Sequence, residues 1–416
     1  MKKLFILFFT FLFTVLSALE VFPVGKKYFY RTNEDIVFQI NLDKGRENAR
    51  FSIRIAGYDE LNRTFTASAN DKGSYELRFQ AEKPGFVFVE VKDNGKTATA
   101  GAAVEPEKIT SGRACPPEFD TFWDNAKKEL DLMPLVYDIQ EMTKVAKGYR
   151  AFEVKVNMGG EGKDLFAILS MPVDAQPGRL AAEVLFHGAT TDKPSLVYRP
   201  DTMVMSVNPM SVKHDGPQAA TTKKGGKFYR YYHWGADDLQ KNYFPDMFRR
   251  AYRALQFIKS LPEWDHRTLI VRGGSQGGGQ ALAAAGLDPQ VTLCIALIPA
   301  LCDHGGNQAG RVSGWPRYFS TDAYKKDPDK AAAALDMIDA VFFARRIRNA
   351  QVLVSVGFVD RTCVPDSGYA AYNAIPSEKK EIFNDFLKAH AISWDAQKKY
   401  MKMISDHIKE KHAMFK

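Results

Sequence analysis

At 416 residues, 45% hydrophobic and 25% charged, the chain is ordinary globular material, long enough for two or three domains and without a disordered or fibrous bias. Its formal charge of +8 is spread, with Lys and Arg interleaved among Asp and Glu, so no nucleic-acid partner is expected. The four cysteines, Cys115, Cys294, Cys302 and Cys363, show neither a CxxC pair nor a zinc spacing.

Met1-Lys2-Lys3, the apolar run Leu4 to Leu16 and the small pair Ser17-Ala18 predict an export signal over residues 1–18. The run is short for a membrane span, small residues close it, and no cysteine stands there to take a lipid. A periplasmic or extracellular protein without a stable membrane anchor is expected. Removing Lys2 and Lys3 leaves a charge of about +6, a weak bias towards acidic polysaccharide.

Residues 19–105 read as strand throughout. Asp35–Asn41, Arg50–Ala56, Ser74–Phe79 and Gly85–Val91 alternate apolar and polar residues, and Asn70-Asp-Lys-Gly73 and Lys92-Asp-Asn-Gly95 supply turns. The pattern predicts a small all-β sandwich, immunoglobulin-like in size. It holds no cluster of His, Cys or paired carboxylates. An accessory or spacer role is expected, with carbohydrate binding as the alternative.

Residues 106–416 change character after a Pro-rich linker that ends at Pro117. A helix is predicted over Glu118–Leu130, with Phe119, Phe122 and Trp123 on its buried face. Phe152–Met158 and Asp164–Met171 read as a hairpin, and Ala182–Phe186 as a buried strand ending in His187-Gly188-Ala189-Thr190. Thr202–Asn208 reads as another strand. About 30 residues without periodicity follow, including Tyr229-Arg-Tyr-Tyr-His-Trp234, a length that marks a functional or mobile loop. A helix over Phe248–Ser260 leads to the short apolar strand Thr268–Val271. That strand runs into Gly273-Gly274-Ser275-Gln276-Gly277 and then an alanine-rich helix.

G-x-S-x-G between a strand and a helix is the nucleophile elbow of an α/β-hydrolase. The glycines permit a turn in which Cβ atoms would clash, and the helix start aims free N–H groups at developing negative charge. Strands over Val291–Pro299, Gln351–Phe358 and Glu381–Phe383 and an amphipathic helix over Ile392–His412 complete the pattern. The predicted fold class is α/β: an α/β-hydrolase with a mostly parallel sheet, preceded by the small all-β unit. Cys302 and Cys363 each follow a strand at one edge of that sheet, a placement open to a disulfide or to two buried thiols.

A serine hydroxyl needs a histidine to take its proton and a carboxylate to hold that histidine. In this fold the order is Ser, acid, His, which selects Ser275, Asp360 just beyond the Gln351–Phe358 strand, and His390 ahead of the last helix. Asp303-His304 comes too early in that order, and His407 and His412 read as solvated helix residues. The amides of Gln276 and Ala189 are the expected oxyanion donors. Trp315, Trp234 and Tyr231 read either as sugar-stacking platforms or as packing.

Gly274-Ser275-Gln276-Gly277-Gly278 resembles the motif of the acetyl xylan esterase/cephalosporin C deacetylase family. Phe119-Asp-Thr-Phe-Trp123, Pro262-Glu-Trp-Asp265, Ala300-Leu-Cys-Asp-His-Gly305 and Asp360-Arg-Thr-Cys-Val-Pro365 are similar to further segments of it. The resemblance runs from about Cys115 to the end and leaves out the β-sandwich. It implies hydrolysis of acetyl esters on sugars without a cofactor, with Ser275, Asp360 and His390 as triad and Ala189 and Gln276 as oxyanion hole. Ala391 stands where the family commonly has Glu, and its early RGQG-type segment is absent. The oligomeric state stays open. The other readings are a feruloyl-type or other carboxylesterase, a secreted serine peptidase, and a non-catalytic glycan-binding protein. A peptidase of this fold usually carries a propeller or lid domain, which the N-terminal strands are too few to build.

Overall fold

The computed structural model describes residues 18–57, 61–160, 162–189, 194–211, 222 and 224–413. Residues 1–17 of the export signal expected over 1–18, Thr190, and much of the stretch between Ser211 and Lys224 fall outside these. Eight strands come first: β1 (Glu20–Pro23), β2 (Phe29–Tyr30), β3 (Ile36–Asn41), β4 (Arg50–Ala56), β5 (Arg63–Ser68), β6 (Ser74–Phe79), β7 (Gly85–Asp93) and β8 (Lys96–Val104). They form a three-stranded sheet, β1-β3-β6, and a five-stranded sheet, β2-β8-β7-β4-β5. Ile36, Phe38 and Ile40 of one sheet share a core with Ile53, Ile55, Val87, Val89 and Val91 of the other. Strict alternation in β3 and β4 is the mark of sheets with one wet face. In β7 the other face is buried too, through Phe86 and Phe88.

The remainder is a mixed α/β fold. Its nine strands are β9 (Tyr137–Glu141), β10 (Tyr149–Val156), β11 (Leu165–Pro172), β12 (Leu180–Phe186), β13 (Thr202–Val207), β14 (Trp264–Gly274), β15 (Leu293–Leu297), β16 (Gln351–Gly357) and β17 (Lys380–Asp385). They lie in the order β17-β16-β15-β14-β12-β13-β11-β10-β9. The six strands from β12 to β17 are parallel, and β9 to β11 add an antiparallel edge. The helices are α1 (Phe119–Leu132), α2 (Tyr243–Ser260), α3 (Gln276–Leu287), α4 (Asp322–Lys326), α5 (Pro328–Asp336), α6 (Ala340–Ala344), α7 (Pro365–Ala374) and α8 (Trp394–Ala413). Trp123, Phe248, Leu282 and Phe343 pack on one face of the sheet. On the other, Ile404 and Ile408 of α8 pack on Ile270, Ile295 and Leu353.

Sequence boundaries shift where local hydrogen bonds outweigh hydrophobic period. α2 starts at Tyr243, five residues before the expected Phe248, because the Asn242 side chain accepts from the Phe244 amide at 3.0 Å and caps it. α8 starts at Trp394, where Ser393 Oγ accepts from the Ala396 amide at 3.1 Å. The disulfide alternative for Cys302 and Cys363 is overturned: all four thiols are free. Cys302 Sγ contacts the Ala300 carbonyl at 3.5 Å, and Cys363 Sγ faces Ser275.

The strand order positions the site. β12 has β13 on one side and β14 on the other, so the chain reverses its direction of winding there. That switch point, between the carboxyl ends of β12 and β14, is the place where open parallel sheets bind ligands. Ser275 follows β14, and His187-Gly188-Ala189 follows β12.

Candidate active site

Ser275 has φ 55° and ψ −123°, a conformation a side-chain-bearing residue adopts only when its surroundings enforce it. Its amide donates to the Leu297 carbonyl at 2.9 Å, and its carbonyl accepts from the Gly278 and Ala300 amides, each at 2.9 Å. Two ends of β-structure are thereby locked to one turn. Gly277 completes the lock, since a Cβ there would stand 2.1 Å from the Phe186 carbonyl oxygen. No other residue fits.

His390 lies in the connection from β17 to α8, and its Nε2 is 2.9 Å from Ser275 Oγ. Its Nδ1 is 2.8 Å from Oδ2 of Asp360, which is fully buried beyond β16. The other oxygen, Oδ1, accepts from the amides of Thr362 at 2.7 Å and Cys363 at 3.0 Å. Backbone donors therefore orient the carboxylate and leave one oxygen for the imidazole. With Nδ1 donating to Asp360, Nε2 of a neutral His390 is the acceptor facing the serine hydroxyl. The His390 side chain is 29% exposed, open to a substrate from solvent.

Gln276 opens α3, so its N–H has no acceptor within the helix. The loop after β12 passes close by: a Cβ on Gly188 would lie 4.0 Å from Ser275 Cβ, and Ala189 is the next residue. Gln280 Nε2 donates to the His187 carbonyl at 3.0 Å, and His187 Nε2 accepts from the Ser195 amide at 3.1 Å, so His187 is held through its backbone and its ring. Both amides expected of an oxyanion hole thus belong to segments that meet at the elbow.

The aromatic residues divide. Tyr231 is 1% exposed and its hydroxyl donates to Gln276 Oε1, so it is no sugar platform but a buried prop for the residue after Ser275. Trp315 is half-buried, tilted on Tyr232 at 5.3 Å and edge-on to Phe244 at 6.5 Å. Trp234 stays 39% exposed and stacks on Phe228 at 5.8 Å, so among the three it alone keeps an open ring.

The rival titratable residues are accounted for otherwise. Asp303 accepts from the Gly112 amide at 2.7 Å and pairs with Arg311 at 3.0 Å. His304 is buried, and burial pushes its imidazole down to about 3. His407, expected in solvent, is buried against Thr292 Oγ1 at 2.9 Å. Helix α8 lays that residue on the sheet. Among the described residues no three His, Cys, Asp or Glu side chains gather to hold a metal ion.

Sequence reasoning missed two neighbours. Cys363 Sγ lies 4.0 Å from Ser275 Oγ, and burial, with the Asp360 charge adding, pushes its thiol up, so it stands there neutral. Its place three residues after Asp360 was the available signal. Glu183 of β12 is fully buried between Arg199 at 2.6 Å and Arg272 at 2.8 Å. Burial alone would raise its carboxyl, but Arg272 and Arg199 outweigh that and hold it below the ordinary range. Arg272 stands three residues before Ser275, so this ion triad anchors the strand that carries the elbow. A lone Glu within an apolar strand was its signal.

The acetyl xylan esterase (AXE1) family model matches residues 105–407 and leaves the N-terminal sheets outside the match. The chain is 28% identical over 314 residues to acetyl esterase Axe7A of Xylanibacter ruminicola, covering 72% of this chain and 70% of that one. The acetyl xylan esterase of Paenibacillus sp. R4 superposes with a TM-score of 0.62 at 25% identity, over 73% of this chain and 98% of that one. Acetyl xylan esterase 1 of Thermoanaerobacterium sp. JW/SL YS485 shares the fold, with a TM-score of 0.60 at 23% identity and the same coverage. The chain belongs to the acetyl xylan esterase family and is a carboxylic ester hydrolase of the carbohydrate-esterase kind.

Proposed function

We propose that this chain is an exported serine esterase that removes acetyl groups from plant-type poly- or oligosaccharides through an acyl-enzyme. The observation that carries the reading is the unbroken chain Ser275 Oγ, His390, Asp360, with contacts of 2.9 and 2.8 Å at the carboxyl end of β14. Ser275 Oγ attacks the acetyl carbonyl carbon while His390 Nε2 takes its proton. The tetrahedral oxyanion is held by the amides of Gln276 and Ala189, each such donor being worth about 3 kcal/mol in the transition state. Collapse breaks the bond to the sugar oxygen, which receives the proton from His390. Water, giving a proton to His390, then attacks the acetyl carbonyl; the bond to Ser275 Oγ breaks, Oγ takes that proton back from His390, and acetate leaves.

The Cys363 thiol beside Ser275 supports a small acyl group over a feruloyl one. Residues Met1 to Ala18 support export, and Trp234 is the residue we assign to sugar stacking. We read residues 19–105 as an immunoglobulin-like unit and 106–416 as the hydrolase. The test is release of p-nitrophenol from acetate, butyrate and ferulate esters by the wild type and Ser275→Ala. Fast acetate turnover abolished in the variant is expected; ester hydrolysis that survives Ser275→Ala would remove the assignment.

A further inference from the structure

We infer that the N-terminal sheets are a positioning part of the active site: β7, β8 and the segment around β2 brace the two loops that carry Asp360 and His390. This rests on the triad reading above and replaces the expected spacer role with a mechanical one.

β7 is buried on both faces. Val87, Val89 and Val91 fill the core between the two N-terminal sheets, whereas Phe86 and Phe88 enter the core of the hydrolase. There Phe86 meets Phe358 edge-on at 4.9 Å, and Phe29 meets the same ring at 5.6 Å. Phe358 is two residues before Asp360. Tyr28 stacks on Phe386 at 4.1 Å with the rings 16° apart, and Phe386 is four residues before His390. Phe358 and Phe386 themselves touch edge-on at 4.8 Å. Three N-terminal rings thus clamp two rings that lead directly into the acid and the histidine.

Polar contacts grip the other side of Asp360. Glu90 pairs with Arg361 at 2.5 Å, its side chain only 14% exposed. The Phe86 amide donates at 3.0 Å to Oδ1 of Asp366, which sits in the first turn of α7. Gly101 of β8 also lies against this loop, where a Cβ would stand 2.3 Å from the Phe358 carbonyl oxygen. The acid loop is therefore held at Phe358 before Asp360 and at Arg361 and Asp366 after it, by Phe29, Phe86 and Glu90, which lie outside the residues matched to the family. Such bracing has a catalytic consequence because a misplacement of about 1 Å of reacting groups costs up to about 100-fold in rate.

Gly101→Ala places a methyl group against the Phe358 carbonyl without touching the site. For p-nitrophenyl acetate we expect kcat to fall at least about tenfold with KM changed by less than about twofold. The far-downfield proton resonance of the His390–Asp360 hydrogen bond should broaden or vanish while unfolding stays cooperative. If Gly101→Ala does not fold, the Glu90–Arg361 pair decides. Glu90→Gln and Arg361→Gln should each lower kcat about threefold, and the double variant should lose no more than the worse single one. Wild-type kcat in both single variants overturns the inference. So does a loss of stability with kcat and the proton resonance unchanged. Activity that survives Ser275→Ala would instead remove the underlying triad reading, whatever these variants do.

Discussion

Asp360→Asn exchanges one oxygen for nitrogen and should reverse the polarity of the relay. Because Oδ1 of Asp360 accepts two backbone amides, at 2.7 and 3.0 Å, the asparagine carbonyl must take that place. Its NH₂ group then faces His390 Nδ1 across the 2.8 Å now spanned by a carboxylate. A donor there forces Nδ1 to accept, so the ring proton moves to Nε2 and points at Ser275 Oγ, where an acceptor is needed. The serine hydroxyl loses its base. A wrong tautomer in such a site lowers kcat about 10⁴-fold, roughly 5 kcal/mol of transition-state stabilisation. The fold should hold, since shape and backbone bonds are kept. Initial rates on p-nitrophenyl acetate, read beside thermal unfolding, decide the matter. A folded Asp360→Asn protein that retains more than about a tenth of wild-type kcat would refute this reasoning.

Three further outcomes follow from buried polar groups. Tyr231→Phe removes the donor to Gln276 Oε1 and, with Nε2 already unpartnered among the described residues, leaves that buried amide without support at either end. Urea unfolding should show a loss of about 1–3 kcal/mol, accompanied by a lower kcat. Glu183→Ala strips Arg199 and Arg272 of their shared carboxylate and should cost about 3–5 kcal/mol in the same assay; a change below about 1 would contradict the anchoring role given to it. The pH dependence of stability has a defined sign at His407, whose imidazole is pushed down to about 4 by burial, with Lys411 adding. Between the ordinary value of about 6.5 and 4 the unfolded chain binds the proton first. The contribution is thus complete above about 6.5 and is lost as pH falls towards 4, by up to about 3 kcal/mol. His407→Gln should flatten the acid side of the stability profile, and parallel curves for the two proteins would contradict the assignment.

Backbone necessity made the elbow legible. The turn at Ser275 admits no Cβ at position 277, so its glycine is written into the sequence wherever this geometry occurs. Asp360 and His390 were legible because chain order in a parallel sheet restricts which loops reach the crevice. β5 and β8 escaped notice because Arg63–Ser68 is mostly exposed and Lys96–Val104 is built of small residues, so neither carries a strong period of two. Tyr231 stays open between platform and packing in the sequence because a tyrosine reads alike whether its ring is open or its hydroxyl is buried on a partner; that partner, Gln276, is 45 residues away. Gly85–Val91 reads from the sequence as an alternating strand with one wet face, whereas its run Gly85-Phe-Val-Phe-Val89 is buried on both faces. The Phe86 ring on its second face meets Phe358, and the Phe86 amide meets Asp366, 280 positions further on; no local pattern carries that distance.

The central claim is a covalent acetyl-Ser275, and rapid quenching during turnover tests it most directly. The wild-type protein would be mixed with acetylated xylo-oligosaccharide, stopped in acid within the first turnover, digested and mapped by mass spectrometry. The account predicts one acetyl group on the peptide containing Ser275, absent in Ser275→Ala and lost with time as substrate is exhausted. Acetate released in full while that peptide stays unmodified at every time point, with an added acetyl on another residue, would contradict it.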